Sequence, residues 1–276
     1  MSDPRNLLAR PELADARLEG LVRADRFADV TAMTCAVPIA GVRRAPADEA
    51  ELDDELLLGE GFDVLDTADG WAWGQARRDG YVGHVRLDQL ARPGAPPTHR
   101  IAALRTYGFA RPDLKSPARG PVSLNALVTA ERETAGFLEC GAAGWIFHGH
   151  LAPIGAFEPD PAAVAERFVG APYLWGGRSS LGLDCSGLVQ QAMYACGRAC
   201  PRDADQQLAA FPRAAAADAL RRGDLVFWTD HVGMMLDGER LLHANGHHMA
   251  AAVEPLARAV ERIRAADGGE PAFRRP

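Results

Sequence analysis

The chain has 276 residues, of which 47% are hydrophobic and 24% charged, and its formal net charge is −7. This composition is typical of a globular chain with two or three small domains, and it excludes a disordered one. The acidic balance gives no electrostatic reason to expect binding to nucleic acid or anionic lipid. No stretch approaches the roughly 18 apolar residues of a membrane span. The charged N-terminus lacks the apolar run of a secretory signal. We therefore expect a cytoplasmic protein with no membrane or nucleic-acid partner.

The five cysteines form an odd set without a CxxC pair. This pattern disfavours a disulfide framework and a structural zinc site. We expect no metal and no cofactor.

The front of the chain is predicted to be all-β after a short lead-in. Residues 1–27 indicate a helical or irregular segment broken by Pro11. Residues 28–92 contain short apolar runs with turn signals at 59–61, 68–70 and 79–80. After the linker "ARPGAPPTH", the pattern recurs in residues 98–155. In each copy a Gly and an aromatic residue precede the final strand and a Leu. This weak repeat favours two related small β-barrels, and one larger all-β domain is the alternative.

The sequence pattern changes in residues 157–276, where a helical segment comes first and strands follow. "DPAAVAERFVG" has the apolar spacing of a helix, and "RRGDLVFWTDHVGMMLDGERLLHANG" is typical of three consecutive strands. Helices followed by strands predict an α+β domain.

The segment "LDCSGLVQQAMYACG" places Cys185 at the start of a predicted helix. Apolar residues recur at helical spacing from Ser186 to about Cys196, and Asp184 is a good N-cap type. Free backbone N–H groups and the helix dipole favour a thiolate there, which would lower the cysteine pKa from about 8.5. We expect Gly187 to let a substrate backbone come close. A buried cysteine on a core helix would explain this segment equally well.

Two histidines on neighbouring strands supply the groups that a reactive thiol needs. His231 can take the thiol proton, and His243 can orient its ring. A two-residue turn at Asp237-Gly238 would put the two rings on opposite sheet faces. A three-residue loop over 237–239 pairs 233 with 243 and puts both rings on one face, so the catalytic interpretation requires the odd-length loop.

Six motifs in order resemble the NlpC-type cell-wall cysteine peptidases, whose catalytic logic is papain-like. They are "PYLWGG" (172–177), "DCSGLV" (184–189), "PRDADQQ" (201–207), "RGDLVFW" (222–228), "HVGMML" (231–236) and "LLHAN" (241–245). The resemblance implies that Cys185 is the nucleophile, His231 the base and His243 the orienting residue. It also implies an oxyanion site made by the Cys185 backbone N–H and the Tyr173 hydroxyl.

The front of the chain resembles the bacterial SH3-like domains that precede such peptidases, on "GWAWGQA", "GYVGHV" and "AGWIF". The fold implied is multidomain: two small SH3-like β-barrels, 28–92 and 98–155, then an α+β papain-like peptidase domain, 157–276. The implied activity is hydrolysis of the γ-D-glutamyl–diamino acid bond in short murein peptides with a free N-terminal L-Ala, during cell-wall recycling.

The resemblance also implies a set of substrate contacts. Asp203 would bind the substrate's N-terminal amine, and Ala204 stands where the family often has Ser. Ser186 and Trp175 are expected at the cleft, although Trp175 could instead pack in the core. Glu60 and Tyr81 of the first SH3-like domain would close the pocket; the alternatives are a solvated turn acid and a barrel aromatic.

Two other functions remain open at the level of sequence. An amidase or acyltransferase would use the same thioester intermediate, and substrate geometry would separate it from a peptidase. A non-catalytic cell-wall peptide-binding module is the third hypothesis. Intact Cys185, His231 and His243 argue against that one.

Overall fold

The computed structural model describes residues 3–266 and 268–276, and the chain divides into two compact units at Ile154/Gly155. Strands dominate, and helices are few. Among the described residues, no helix is both long and apolar enough to span a membrane.

The first unit begins with a lead-in that is more regular than the sequence predicts. Short strands β1 (Ala9–Arg10), β2 (Leu13–Asp15) and β3 (Phe27–Ala28) form a small sheet. Leu8 and Leu13 are buried against Trp73. The predicted helical or irregular segment is therefore wrong in part, because these apolar side chains cover a neighbouring aromatic ring.

A seven-stranded antiparallel sheet follows, with the order β10-β4-β7-β8-β9-β5-β6. Its strands are β4 (Thr31–Cys35), β5 (Ile39–Arg43), β6 (Leu52–Leu57), β7 (Gly61–Ala68), β8 (Trp71–Ala76), β9 (Val82–Arg86) and β10 (Leu90–Ala91). The predicted turns are present: Gly59, Asp69, Gly70 and Gly80 all have positive φ. Positive φ is natural for Gly and tolerated by Asp, which explains why these residues end the strands.

The rest of the first unit forms two smaller sheets, β14-β11-β18 and β13-β12-β17-β16-β15. The strands are β11 (His99–Ile101), β12 (Arg105–Phe109), β13 (Ala118–Ser123), β14 (Leu127–Val128), β15 (Glu133–Thr134), β16 (Phe137–Glu139), β17 (Trp145–Phe147) and β18 (Leu151–Pro153). This region has its own apolar core, which also takes in Leu57 from β6. The shared side chain explains why both regions belong to one compact unit.

The local repeat has a structural counterpart at the end of each region. In the first, strand β9 is followed by a one-turn 3-10 helix, Leu87–Gln89, and by β10. In the second, β17 is followed by a one-turn 3-10 helix, His148–His150, and by β18. The same order of elements follows Gly80 and Gly144.

The second unit combines helices with a five-stranded antiparallel sheet, as the sequence predicts. Its elements are α1 (Pro161–Glu166), β19 (Arg178–Ser179), β20 (Gly182–Leu183), α2 (Cys185–Ala195), α3 (Ala204–Ala210), β21 (Leu225–Trp228), β22 (His231–Met235), β23 (Arg240–Asn245), β24 (Ala250–Pro255), α4 (Leu256–Ala265) and β25 (Ala272–Arg274). The sheet order is β24-β23-β22-β21-β25, so the three predicted strands form its centre. Strands β24 and β25 and helix α4 are additions to the prediction.

Candidate active site

The start of α2 is held by a buried ion pair. Asp184 is the N-cap, and its Oδ1 accepts a hydrogen bond from the Gly187 N–H at 2.8 Å. Its Oδ2 accepts one from the Gly176 N–H at 2.9 Å and one from Arg202 Nη2 at 2.6 Å. The Arg202 side chain is 1% exposed. Asp184 is thus a cap that also fixes the loop before the helix and neutralises a buried arginine.

Cys185 is the first residue of α2, and its thiol lies against the start of β22. The Sγ atom is 3.9 Å from the Asp230 carbonyl oxygen, and the Val232 N–H hydrogen-bonds to the sulfur. These two backbone groups flank His231. Strands β22 and β23 pair at Met234↔Leu242 and Met235↔Leu241, and within the described part of the chain they form no ladder pair at the His231 end. The sulfur therefore meets the sheet where the two strands have stopped pairing.

The electrostatic expectation for this thiol is wrong. Burial raises the pKa of Cys185 to about 12, and the Asp184 carboxylate adds to the rise. Hydrogen bonds from the Val232 and Ser186 N–H groups oppose it without cancelling it. Burial also lowers the pKa of His231 to about 3, with further lowering by His243. Because desolvation disfavours both charged forms, the resting pair is a neutral thiol and a neutral imidazole.

The strand register brings both imidazoles to one face, as the catalytic interpretation requires. The Leu236 N–H donates to the Arg240 carbonyl at 2.8 Å, which closes a three-residue loop over 237–239. The register of β22 and β23 then aligns 233 with 243 and 231 with 245. His231 Nε2 lies 2.8 Å from His243 Nδ1, so the predicted contact between the two rings is confirmed.

Gly233 gives the His243 ring its place on this face. A Cβ at position 233 would lie 2.7 Å from Leu241 Cδ1 and 3.1 Å from His243 Cβ. A side chain at position 233 would therefore crowd both Leu241 and the base of the His243 side chain.

Two further residues extend the series of hydrogen bonds. His243 is fully buried, and its Nε2 lies 2.7 Å from Glu254 Oε1 on β24. Glu254 accepts two hydrogen bonds from Arg262 on α4, at 2.8 and 2.5 Å. Glu254, His243 and His248 also bring three potential metal ligands within 4.8 Å. The Arg262 guanidinium already neutralises that carboxylate, which disfavours a cation there.

The predicted oxyanion donor lies beside the start of α2. Tyr173 bridges to Leu183, two residues before Cys185, and is half-buried. Burial, together with the negative charge of Asp184, raises the pKa of Tyr173 well above its ordinary value. The phenol thus keeps its proton and is a hydrogen-bond donor. Trp175 is 55% exposed, which excludes the alternative of core packing for this residue.

Two residues in the first turn of α2 differ from expectation. The Ser186 hydroxyl lies 3.2 Å from Asp184 Oδ1 and accepts a hydrogen bond from Arg202 Nη1 at 2.9 Å. These bonds give Ser186 a structural role, and its expected contact with substrate stays a prediction. At Gly187, a Cβ would lie 2.4 Å from the Gly177 carbonyl oxygen, so the backbone that comes close is the protein's own.

The residues predicted to select the substrate N-terminus lie at the start of α3. Asp203 is the N-cap, with a capping box to Gln206, and it remains partly exposed. Ala204 is buried in the first turn of the same helix. The capping bonds fix the carboxylate's position on the surface of the unit, and its role toward a substrate amine stays a prediction.

Glu60 and Tyr81 lie in the first unit, and both are buried there. Glu60 is 1% exposed; it accepts a hydrogen bond from the Leu57 N–H at 2.9 Å and pairs with Arg78 at 2.8 Å. The alternative of a solvated turn acid is therefore wrong. Tyr81 belongs to the apolar core of the seven-stranded sheet, as the barrel-aromatic alternative predicts. Their part in closing a pocket stays a prediction.

Sequence reasoning missed Arg202, Glu254 and Arg262. Arg202 lies within "PRDADQQ", where a basic residue beside an N-cap acid was an available signal. Glu254 follows His243 by 11 positions, and Arg262 follows Glu254 by 8. No spacing rule connects a strand acid to the ring that it contacts.

The arrangement supplies what acyl transfer by a thiol requires. A cysteine at a helix start against the strand that carries an imidazole, a second imidazole that holds the first, and a protonated phenol are the groups of nucleophilic catalysis. Fold and site together define the catalytic domain of a cysteine peptidase.

Comparison of the sequence with models of known protein families identifies two domains. The NlpC/P60 family model matches residues 170–261, and the model for the bacterial dipeptidyl-peptidase Sh3 domain matches residues 42–90. The chain therefore carries an SH3 domain followed by an NlpC/P60 domain, and it is a cysteine peptidase.

Curated relatives carry peptidase names. Dipeptidyl-peptidase 6 of Lysinibacillus sphaericus is 26% identical over 75% of this chain and 85% of that protein. The gamma-D-glutamyl-L-lysine dipeptidyl-peptidase of Bacillus subtilis (strain 168) is 39% identical, over 28% of this chain and 28% of that protein.

Solved structures establish the fold. An NlpC/P60 family protein from Bacillus cereus ATCC 10987 superposes with a TM-score of 0.76 at 19% identity, covering 89% of this chain and 99% of that one. An NlpC/P60 endopeptidase from Photobacterium damselae subsp. piscicida has a TM-score of 0.57 at 13% identity, covering 89% and 70%.

Proposed function

We propose that the protein hydrolyses the γ-D-glutamyl–diamino acid bond of short murein peptides that carry a free N-terminal L-Ala. The observation that carries the chemistry is the placement of Cys185 Sγ against the backbone on both sides of His231, whose ring is held by His243 at 2.8 Å. The named dipeptidyl-peptidase relatives support the substrate class.

The reaction begins from the neutral pair. As Cys185 Sγ attacks the γ-carbonyl carbon of D-glutamate, its proton passes to His231 Nδ1, since Nε2 is bonded to His243. The Cys185 N–H and the Tyr173 hydroxyl stabilise the oxyanion. His231 then returns the proton to the leaving amine, and water hydrolyses the thioester.

Asp203 is proposed to select for an unblocked peptide N-terminus. A carboxylate fixed by its helix cap binds an ammonium group strongly, and an acetylated amine offers it no charge. A cytoplasmic location would suit this preference, because imported peptides there are short and have free amines.

We also infer that residues 98–155 form a second SH3-like domain, since they repeat the strand, 3-10 turn and strand order of the matched SH3 domain. Closure of the substrate pocket by Glu60 and Tyr81 remains part of this proposal.

The test of substrate class compares L-Ala-γ-D-Glu-diamino acid with its N-acetyl form, with products identified by mass. We expect cleavage at the γ-D-glutamyl bond and a loss of at least about 10²-fold in kcat/KM on acetylation. Equal cleavage of the two peptides would refute selection by Asp203. Transfer of the acyl group to an added amine in preference to water would support the acyltransferase alternative.

The test of mechanism is Cys185→Ala, with Cys196→Ala as the matched control. Cys196 lies at the opposite end of α2 and is partly exposed. We expect the first variant to lose cleavage by about 10⁴-fold or more and the second to keep it. Residual cleavage by Cys185→Ala at a wild-type rate would contradict the assignment.

A further inference from the structure

The hydrogen bonds behind the thiol run in one direction. Glu254 Oε1 lies 2.7 Å from His243 Nε2, and His243 Nδ1 lies 2.8 Å from His231 Nε2. An ionised carboxylate can only accept, so His243 Nε2 carries the hydrogen. A neutral imidazole has one N–H, so His243 Nδ1 accepts and His231 Nε2 donates. His231 Nδ1 is then left without a hydrogen, in the form that can take the thiol proton.

Arg262 and the sheet keep Glu254 in the accepting state. Glu254 is paired with Leu241 across the β23/β24 ladder, and its side chain is only 10% exposed. Burial raises its pKa, but hydrogen bonds from Arg262 and His243 outweigh burial and bring the pKa to about 2. The carboxylate is therefore ionised at any pH at which the protein would act.

Without a fixed acceptor at this end, the series can run in either direction. In the reverse arrangement His243 Nδ1 carries the hydrogen and donates to His231 Nε2. His231 Nδ1 then bears the hydrogen and cannot accept one from Cys185. Geometry alone does not choose between the two arrangements, because the ring-to-ring distance of 2.8 Å suits both.

We propose that Glu254 is a positioning residue that sets the tautomers of both imidazoles and so keeps His231 ready to act as a base. The inference rests on the proposed roles of Cys185, His231 and His243. Glu254 acts through His243, and its contribution is to the protonation pattern of the resting enzyme.

The test is Glu254→Gln in the full chain, read first by ¹⁵N NMR of the ring nitrogens at neutral pH. The amide can donate as well as accept, so we expect a mixture of tautomers at His231 and His243 where the unaltered protein has one. With the tripeptide substrate we expect kcat to fall about 10²-fold while KM changes less than about twofold.

Two control variants separate positioning from stability. Arg262→Gln leaves the carboxylate and its hydrogen bond from His243 in place, and that bond still favours the ionised form at neutral pH. We therefore expect the wild-type tautomers to persist while the melting temperature falls. Glu270→Gln removes the acid of an exposed Glu–Arg pair, the one with Arg264, and should change neither. Unchanged tautomers in Glu254→Gln would overturn the proposal. The proposal would also be overturned if Glu254→Gln and Arg262→Gln lost catalytic rate to the same extent for the same fall in melting temperature.

A readout without peptide keeps this test distinct from that of the proposed function. The rate of Cys185 alkylation by iodoacetamide, followed by peptide mass mapping, reports the ability of His231 to take the thiol proton. We expect Glu254→Gln to slow it about tenfold or more. Wild-type protein that alkylates rapidly but leaves the tripeptide intact would refute the substrate and leave the role of Glu254 standing.

Discussion

Two carboxylate–arginine pairs lie on the two sides of the active site, and they act on different groups. Asp184–Arg202 lies at the start of α2, where the acid binds the backbone N–H groups of Gly176 and Gly187. Glu254–Arg262 lies behind the histidines, where the acid binds an imidazole. The first pair fixes the path of the chain, and the second fixes the position of a proton. Loss of the first should therefore appear mainly in stability, and loss of the second mainly in rate.

The largest expected effect comes from breaking the first pair with Arg202→Met. Asp184 would keep a buried charge with no arginine beside it, which costs about 3–5 kcal/mol of unfolding free energy. Urea unfolding measures this. Arg222→Met is the matched control, since Arg222 pairs with Asp160 and Glu166 at the surface, and its loss should cost less than about 1 kcal/mol. Similar losses in both variants would contradict the contrast drawn between buried and exposed pairs.

Tyr173→Phe removes a proposed oxyanion donor on the α2 side of the site. We expect kcat to fall about 10²-fold with stability nearly unchanged, because the hydroxyl gains its strongest bond only in the transition state. Tyr107→Phe, at a 48% exposed tyrosine of the first unit, is the control and should leave kcat unaltered. A rise in KM with kcat unchanged would instead assign Tyr173 to substrate binding.

On the histidine side of the site, we expect the stability of the folded protein to depend on pH. Burial lowers the pKa of His243 to about 4, against an ordinary value of 6.5, although Glu254 opposes the shift. The unfolded chain takes up a proton there as pH falls below about 6.5, whereas the folded protein does not until about 4. Stability is thus complete above this window and is lost as pH falls through it, by about 2 kcal/mol between pH 6.5 and 5 for this group.

Unfolding in urea at pH 7, 6 and 5 measures that loss. His243→Gln removes the share of this ring and should make the profile shallower, while His231, whose pKa is also lowered, keeps its own share. A wild-type profile already flat over this range would show that the ring titrates normally in the folded protein.

The smallest expected effect is that of Gly233→Ala, which crowds Leu241 and the Cβ of His243 without removing a polar group. A methyl group 3.1 Å from His243 Cβ should cost about 1–2 kcal/mol of stability and lower kcat through ring displacement. At Gly246 no atom lies within 4 Å of the added methyl, so Gly246→Ala is the control. Equal behaviour of the two variants would show that the sheet face has more room than its geometry indicates.

Sequence alone predicts those parts of the site that depend on local periodicity. The helix that begins at Cys185, its Asp184 cap and the strands that carry His231 and His243 all follow from residue spacing of 3.6 or 2. The three-residue loop could be stated only as a condition, because one residue decides between opposite faces.

The parts that sequence did not predict depend on burial and on contacts between distant segments. The direction of the Cys185 pKa shift was wrong because the depth of the thiol overrides the helix start, and depth is a tertiary property. The Ser186 hydroxyl and Gly187 serve the protein's own Arg202 and Gly177, which come from separate loops. Neither Glu254 nor Arg262 belongs to a motif.

The loop over 237–239 carries a constraint that its surface location would not lead one to expect. Surface loops ordinarily tolerate insertions and deletions during evolution. Here the loop must contain an odd number of residues. The removal of one residue would move every side chain of β23 to the other side of the sheet and separate the two rings. Homologues should therefore vary this loop in length only by steps of two or with a compensating bulge.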